Sequence, residues 1–336
     1  MDYDIEGLKD FIHGFYWFGG ENLELTRFPR SSFSTLSKGV ADLSTHMAGG
    51  RIEFRAQTDG IGFEANVVPA SVYDCFSRAG QYGCDVYIDG KYYHTFTPPR
   101  DGYFLSWMKT DGSIEHEYKI YLPTYSAMKI ISLGVDDEIA PSEPHAIQKP
   151  IVFYGSSITQ GAYASRPGLA FPSIIGRALD AEIINLGFSG NGKGEPEVAD
   201  LVAQIDASCF VMDWGGNLTV LEEDGLFEQR YRPFLQKIKD RHPETPILCN
   251  SLQWINPLEA DPGFQERCAR IRAETKAAYD EEVASGNKKI AFIDGTTIIG
   301  PNDKELTADG THANDAGFLK YAQVMVPVLK KLLGVK

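Results

Sequence analysis

The 336-residue chain contains no run of about 18 continuous apolar residues, so no segment reads as a membrane-spanning helix. It also lacks any lysine- or arginine-rich block, and its formal net charge is −14 at pH 7 with a pI near 5.0. Such a surface repels phosphate backbones and anionic lipids, so neither nucleic acid nor a membrane is expected as a partner. Cysteine is scarce and odd in number, at Cys75, Cys84, Cys209, Cys249 and Cys268. No two have the close spacing of a zinc or thioredoxin-like site, which leaves five reduced thiols as the expectation. Cys75 and Cys84 flank a turn at 80–83, where simple packing accounts for them better than a bridge. The amino terminus, Met1-Asp2-Tyr3-Asp4-Ile5-Glu6, has neither the positive start nor the apolar run of a secretory signal, so a cytoplasmic location is expected. Internal repeats and low-complexity tracts are missing too.

What is present suits two domains, each able to bury its own core. Residues 1 to about 30 hold an aromatic cluster, Phe11, Phe15, Tyr16, Trp17 and Phe18, read as core filler at one end of a domain rather than as a carbohydrate-stacking face. From 50 to 135 short alternating strands follow one another at 51–56, 61–67, 84–88, 91–96, 103–108, 116–122 and 128–133. Asp89-Gly90 is a hairpin-turn pair between two of them. Half-buried strands at this frequency, with no amphipathic helix between, predict an antiparallel sandwich of jelly-roll type. His94 and His116 lie inside these strands and are read as surface or hydrogen-bonded core histidines, not ligands. Asp136 to Pro150, with Pro141, Pro144 and Pro150 in a polar run, predicts an irregular extended connector, and the domains are drawn as 1–147 and 148–336.

After the connector the rhythm becomes strand, helix, strand. Apolar strands are expected at 151–154, 181–186, 209–213, 247–250 and 289–293. Helices are expected at about 169–179, 196–205, 226–241, 264–283 and, after a loop to His312, on to about 333. This alternation predicts an α/β domain whose parallel sheet is covered on both faces. The loops after its strands should gather on one edge, where open α/β sheets hold their ligands.

Those loops carry chemically compatible groups. Ser157 follows the first strand in Gly155-Ser156-Ser157-Ile158-Thr159, Gly190 lies after the second, Asn217 after the third, and Asp309-Gly310-Thr311-His312 after the fifth. A histidine beside a serine can take its proton, and a carboxylate three residues earlier can reach the far ring nitrogen within one tight turn. Backbone N–H groups of Ser157 and Gly190, with the Asn217 amide, would make a three-donor oxyanion hole. Singly, each residue has a structural explanation: Ser157 or Asp309 as a helix cap, Gly190 as a positive-φ turn, Asn217 as a loop bond. Their joint placement after strands of one sheet favours an active site.

This set, Gly155-Ser156-Ser157-Ile158-Thr159, Asn185-Leu186-Gly187-Phe188-Ser189-Gly190, Gly215-Gly216-Asn217 and Asp309-Gly310-Thr311-His312, resembles the four blocks of the SGNH hydrolases, the GDSL-like lipases and acylhydrolases. The run from Tyr154 through Ala170 is similar to the branch with an amino-terminal β domain, which includes carbohydrate acetylesterases. The resemblance implies an SGNH-hydrolase-like three-layer α/β/α domain preceded by a jelly-roll-like β-sandwich. It also implies Ser157 as nucleophile, Gly190 and Asn217 as oxyanion donors, His312 as base and Asp309 as its orienting carboxylate. Two positions depart from the family pattern. Ser156 stands where the family has aspartate, leaving two adjacent hydroxyls of which Ser157 holds the family's serine position, and no aspartate follows Asn217.

The expected function is therefore a serine esterase acting on small, acetyl-type esters of a sugar or oligosaccharide, with no metal or organic cofactor. Glu195, Glu197 and Asp213 are read as helix-start and strand-end charges rather than a cation site. Phe188, Trp214 and Trp254 are candidates for stacking on a sugar or walling an acyl pocket, with core packing an equal alternative. An acyltransferase with the same triad, and a non-catalytic carbohydrate-binding protein, are the competing expectations. The amino-terminal domain is left as substrate binder, oligomer contact, with a homo-oligomer open, or wall of the active site.

Overall fold

The computed structural model describes residues 1–68, 75–98, 102–220, 223–257 and 261–335. Two antiparallel sheets form the amino-terminal part. One contains β1 (Asp2–Tyr3), β4 (Gly60–Val68), β7 (Tyr103–Lys109) and β9 (Ala127–Val135) in the order β1-β9-β4-β7. The other contains β2 (Ile12–His13), β3 (Arg51–Ala56), β5 (Cys84–Ile88), β6 (Lys91–Phe96), β8 (His116–Tyr121) and β10 (Ala140–Pro141) in the order β10-β3-β8-β5-β6, with β2 added against β3. Alternate residues of both sheets, among them Ile52, Phe54, Phe63, Val86, Ile120 and Leu133, share one buried core. The β5–β6 hairpin turns at Asp89 and Gly90 with positive φ at both, 49° and 74°, the geometry that follows the strands' own twist. Of the aromatic cluster read as core filler, Phe15 enters this core and Phe11 and Phe18 pack partly buried against it, Trp17 packs on the α/β core, and Tyr16 is exposed.

A five-stranded parallel sheet follows, built from β11 (Ile147–Gly155), β12 (Ala181–Gly187), β13 (Cys209–Asp213), β14 (Ile247–Asn250) and β15 (Ile290–Ile293) in the order β12-β11-β13-β14-β15. Its strands are apolar at consecutive positions because both faces are buried. Val152 and Tyr154 face α5 (Pro196–Val202), α6 (Leu226–Arg241) and α7 (Phe264–Ala284), whereas Ile151 and Phe153 face α4 (Phe171–Leu179) and α8 (Asp315–Leu333). This is the SGNH-type α/β arrangement. The first of these cores also takes in Phe28, Leu36 and, from the short α1 (Lys38–Leu43), Val40, Ala41 and Leu43. A stretch that lies between β2 and β3 in sequence thus packs on the α/β layer.

Two expectations need correction. The connector at 136–150 is not irregular throughout, since Ala140–Pro141 pairs with β3 and β11 begins at Ile147. Prolines are tolerated there because Pro141 lies in a two-residue edge strand and Pro150 falls within a register shift between Ile147 and Ile151. A short helix, α2 (Arg78–Tyr82), capped by Ser77, interrupts the run of sandwich strands. The last helix starts at Asp315, capped by Asn314, and the loop before it carries Asp309 and His312, as expected.

Candidate active site

The site begins where β11 ends. Gly155 is closely surrounded: a Cβ there would collide with Thr159 Oγ1 and the Asp213 carbonyl. Ser156 follows in extended conformation and caps the short α3 (Ser157–Gln160), its hydroxyl accepting from the Ile158 N–H at 3.4 Å. Ser157 occupies the first position of that helix, so its own N–H has no intrahelical acceptor. Gly161 ends the helix at φ 107°.

Ser157 Oγ lies 2.9 Å from His312 Nε2, and His312 Nδ1 lies 2.7 Å from Asp309 Oδ2. The loop that carries both partners is held from several sides. Asp309 Oδ1 accepts the Thr311 and His312 N–H groups at 2.9 and 2.7 Å, the Gly310 carbonyl accepts from the Asn256 N–H at 2.9 Å, and Gln253 donates to the Thr311 carbonyl. Burial raises the Asp309 carboxyl, but the two N–H groups and the imidazole outweigh it and keep this acid below the usual carboxylate range.

Gly190 has φ 69°, and its N–H makes no hydrogen bond among the described residues. Its loop lies against the serine turn: Phe188 N–H donates to the Gly155 carbonyl at 3.0 Å, and a Cβ on Gly192 would strike Gly155. Asn217 Oδ1 accepts the Gly192 N–H at 3.0 Å, which leaves its Nδ2 hydrogens to point elsewhere. The structure therefore brings Ser157, His312 and Asp309 into one hydrogen-bonded chain and ties the Gly190 and Asn217 loops to each other.

Several supporting residues carry no motif signal. Gln160 is fully buried; its Oε1 accepts the Ser189 N–H at 2.9 Å while Nε2 donates to the Thr124 carbonyl at 2.9 Å and faces His46 Nδ1 at 3.1 Å. Burial, with Arg27 close by, pushes His46 down to about 3, so its ring is neutral and Nδ1 is an acceptor. Buried Arg27 donates to the carbonyls of Asn185, Gly187 and Leu43 and lies over the Phe188 ring, 4.5 Å from its centroid. Asp213, raised by burial, is held by Thr159 Oγ1 and Asn250 Nδ2, both at 2.7 Å, beneath the serine turn. Tyr125, from the sandwich, donates to the Ser157 carbonyl at 3.3 Å.

The aromatic expectation changes. Phe188 and Trp214 are core residues, the first stacked on Phe28 and the second packed among Tyr154, Phe227, Tyr231 and Phe234. Their small solvent exposure removes them as sugar platforms. Trp254 is half-buried beside Arg272. The rings that come close to the dyad are Tyr163, 5.4 Å from the His312 ring, and Phe76 behind it. All five cysteines are free thiols, and Cys84, Cys209, Cys249 and Cys268 are buried.

Among the described residues, His13, Glu53 and His145 bring metal-ligating atoms within 4.8 Å of one another. Arg51 and Lys119 already neutralise the carboxylates there, at Glu53 and Glu182, so the cluster is an ion-pair network between β3 and β12. No helix among the described residues is long and apolar enough to cross a membrane.

The GDSL-like Lipase/Acylhydrolase family matches residues 148–330, and the family described as the N-terminus of SGNH-hydro-type esterase matches residues 3–140. No curated protein matches the chain. A protein described as a GDSL-like lipase from Bacteroides ovatus ATCC 8483 is similar over 100% of this chain and 98% of its own, at 29% identity and a TM-score of 0.87. The salicylyl-acyltransferase SsfX3 from a tetracycline biosynthetic pathway is similar over 91% of this chain and 89% of its own, at 20% identity and TM-score 0.77. A family two carbohydrate esterase from Clostridium thermocellum, solved with cellohexaose, covers 86% of this chain and 94% of its own at 13% identity and TM-score 0.66. The last two likenesses, at such low identity, concern the fold. With a match across more than half of its length, in the part that holds Ser157 and His312, the chain belongs to the GDSL-like lipase/acylhydrolase family.

Proposed function

We propose that the protein is a serine esterase that removes small acyl groups, acetyl above all, from a carbohydrate. The observation that carries this reading is the continuous chain Ser157 Oγ, His312, Asp309, with contacts of 2.9 and 2.7 Å. Ser157 Oγ attacks the ester carbonyl carbon while its proton passes to His312 Nε2. The oxyanion is received by the N–H groups of Ser157 and Gly190 and by Asn217 Nδ2. The C–O bond to the alcohol then breaks, and the alcohol leaves with the proton from His312. Water attacks the acyl-enzyme by the same route, gives its proton to His312 and releases the carboxylic acid as Ser157 regains its hydrogen. Asp309 stays ionised and steadies the imidazolium. In this reading Ser156 caps α3 and does not attack.

A carbohydrate alcohol fits the likeness to the cellohexaose-bound esterase, and an acyltransferase fits the likeness to the salicylyl-acyltransferase, whose TM-score of 0.77 exceeds 0.66 for the esterase. In the transferase version an acceptor hydroxyl replaces water in the second half-reaction. The division of the chain at 147/148 belongs to this proposal, with catalysis in the second part.

The test is acetate release from acetylated manno-, xylo- and gluco-oligosaccharides and from an aryl acetate, with and without an added alcohol acceptor. Ser157→Ala should abolish turnover and Ser156→Ala should keep most of it. Undiminished turnover in Ser157→Ala would refute the mechanism. Ester transfer to the acceptor in preference to water would assign the transferase.

A further inference from the structure

Tyr163 has a left-handed backbone, φ 63°. The other non-glycine residues with positive φ among the described residues are Asp89 and Asp180, a residue type that tolerates this region, whereas a bulky aromatic there is strained. Such strain persists only where the surroundings impose it.

Here they do. Downstream, the Ser165 N–H and hydroxyl both donate to the Asp315 carboxylate, in the first turn of the helix that follows His312. The Ser165 carbonyl in turn accepts from Ser77 Oγ, the cap of α2 in the sandwich, at 2.5 Å. Ala164 is pressed against the same helix, since a Cβ on Gly80 would collide with the Ala164 carbonyl. Upstream, the Ala162 N–H is tied to the Ser157 carbonyl at 2.9 Å. The backbone on either side of Tyr163 is thus fixed by the nucleophile turn, the sandwich and the helix after His312.

This backbone places the Tyr163 ring beside the catalytic imidazole, with centroids 5.4 Å apart and planes inclined by 35°. Phe76, from the sandwich, meets the Tyr163 ring at 4.7 Å and 67°, and meets Tyr125 at 4.9 Å and 71°. Tyr125 reaches the Ser157 carbonyl. One phenylalanine of the amino-terminal part therefore supports two tyrosines, one beside each member of the Ser157–His312 pair.

We propose that Tyr163 is a positioning residue for His312, its ring limiting the tilt of the imidazole so that Nε2 stays aimed at Ser157 Oγ, and that the β-sandwich sets this placement through Phe76 and α2. The proposal rests on the serine-esterase reading. Burial, with Cys75 and Asp309 near the hydroxyl, raises the Tyr163 phenol, so it stays neutral and works by its ring rather than by its charge.

The experiment uses the full chain with an aryl acetate, measuring kcat, KM, thermal midpoint and the rate of serine labelling by a fluorophosphonate. Tyr163→Phe, which keeps the ring, should retain kcat within about threefold. Tyr163→Leu should lower kcat and labelling rate by about tenfold or more with KM little changed, the pattern of a misplaced reacting group. Tyr163→Gly should lose as much kcat as Tyr163→Leu while melting no lower, because glycine relieves the left-handed strain. Unchanged kcat in the Leu and Gly variants, beside an active and labelled parent, would overturn the positioning role alone. A parent that neither turns over nor takes the label would overturn the esterase reading and the role of Tyr163 together.

Discussion

Both carboxylate oxygens of Asp309 are occupied, Oδ1 by the N–H groups of Thr311 and His312 and Oδ2 by the imidazole Nδ1. Asp309→Asn can keep the first oxygen as acceptor but presents NH2 to the ring, which forces the proton of His312 onto Nε2, the nitrogen that must accept from Ser157. We expect kcat to fall by about 10²- to 10⁴-fold, with KM and thermal midpoint close to the parent. Steady-state kinetics at neutral pH check this, and an unchanged kcat would remove Asp309 from the mechanism. The spacing of Asp309 and His312 was legible because they meet within one turn. Arg27, Gln160 and Tyr163 were not, for a physical reason. Their partners are mostly backbone groups or rings far along the chain, as with Arg27 and the Asn185 carbonyl, separated by 158 positions, and a carbonyl is present at every residue and marks none.

At the level of the element, the turn from β11 into α3 is set by crowding. Gly155→Ala would drive a methyl group into Thr159 and the Asp213 carbonyl, and the strand cannot withdraw because it is paired with β12 and β13 on both sides. A cost of about 1–3 kcal/mol is expected, read as a thermal midpoint several degrees lower, together with loss of esterase activity. A variant as stable as the parent would mean that the turn yields more readily than its contacts imply. Elements with local causes were readable in advance: Asp89-Gly90 supplies the two positive-φ residues its hairpin needs, and consecutive apolar residues at 151–154 fit a strand buried on both faces. Pro150 misled the boundary of β11, because a proline that would end a regular strand is accepted at a register shift. For Phe188 and Trp214 the sequence left pocket and core equally open, and the structure places both in the core. A loop after a parallel strand suggests an open pocket, yet Arg27 and Phe28 cover the first, and Tyr154 of β11 with the rings of α6 encloses the second.

Across the whole molecule, sandwich and α/β layer are joined by charge as well as by apolar contact. Glu182 of β12 meets Arg51 of β3 at 2.8 Å and His13 at 3.1 Å, while Glu53 meets Arg51, Lys119 and His145. Burial raises the Glu182 carboxyl, but Arg51 and His13 outweigh it and hold it at about 2, against 4.5 for an ordinary glutamate. A depressed carboxyl stabilises the fold fully above its unfolded value and loses that contribution as pH falls from about 4.5 toward 2, on the order of 3 kcal/mol here. His145 works with the opposite sign: burial lowers it, Glu53 and Asp180 raise it further, and its contribution fades as pH climbs through the raised value. Urea midpoints measured from pH 6 to pH 3 should fall less steeply in Glu182→Gln than in the parent, and parallel curves would show that this junction does not govern acid stability. The packing of Phe28, Leu36 and Val40 on the α/β layer has a further consequence during synthesis. These residues and Arg27 leave the ribosome long before the strand that receives them, and at 5–20 residues per second the gap of 158 positions to Asn185 lasts roughly eight to thirty seconds. For that interval Phe28, Leu36 and Val40 have only the partners of their own stretch, such as Trp17 beside Phe28, and the α/β layer that buries them is not yet made, so the nascent chain exposes apolar surface of the kind chaperones bind.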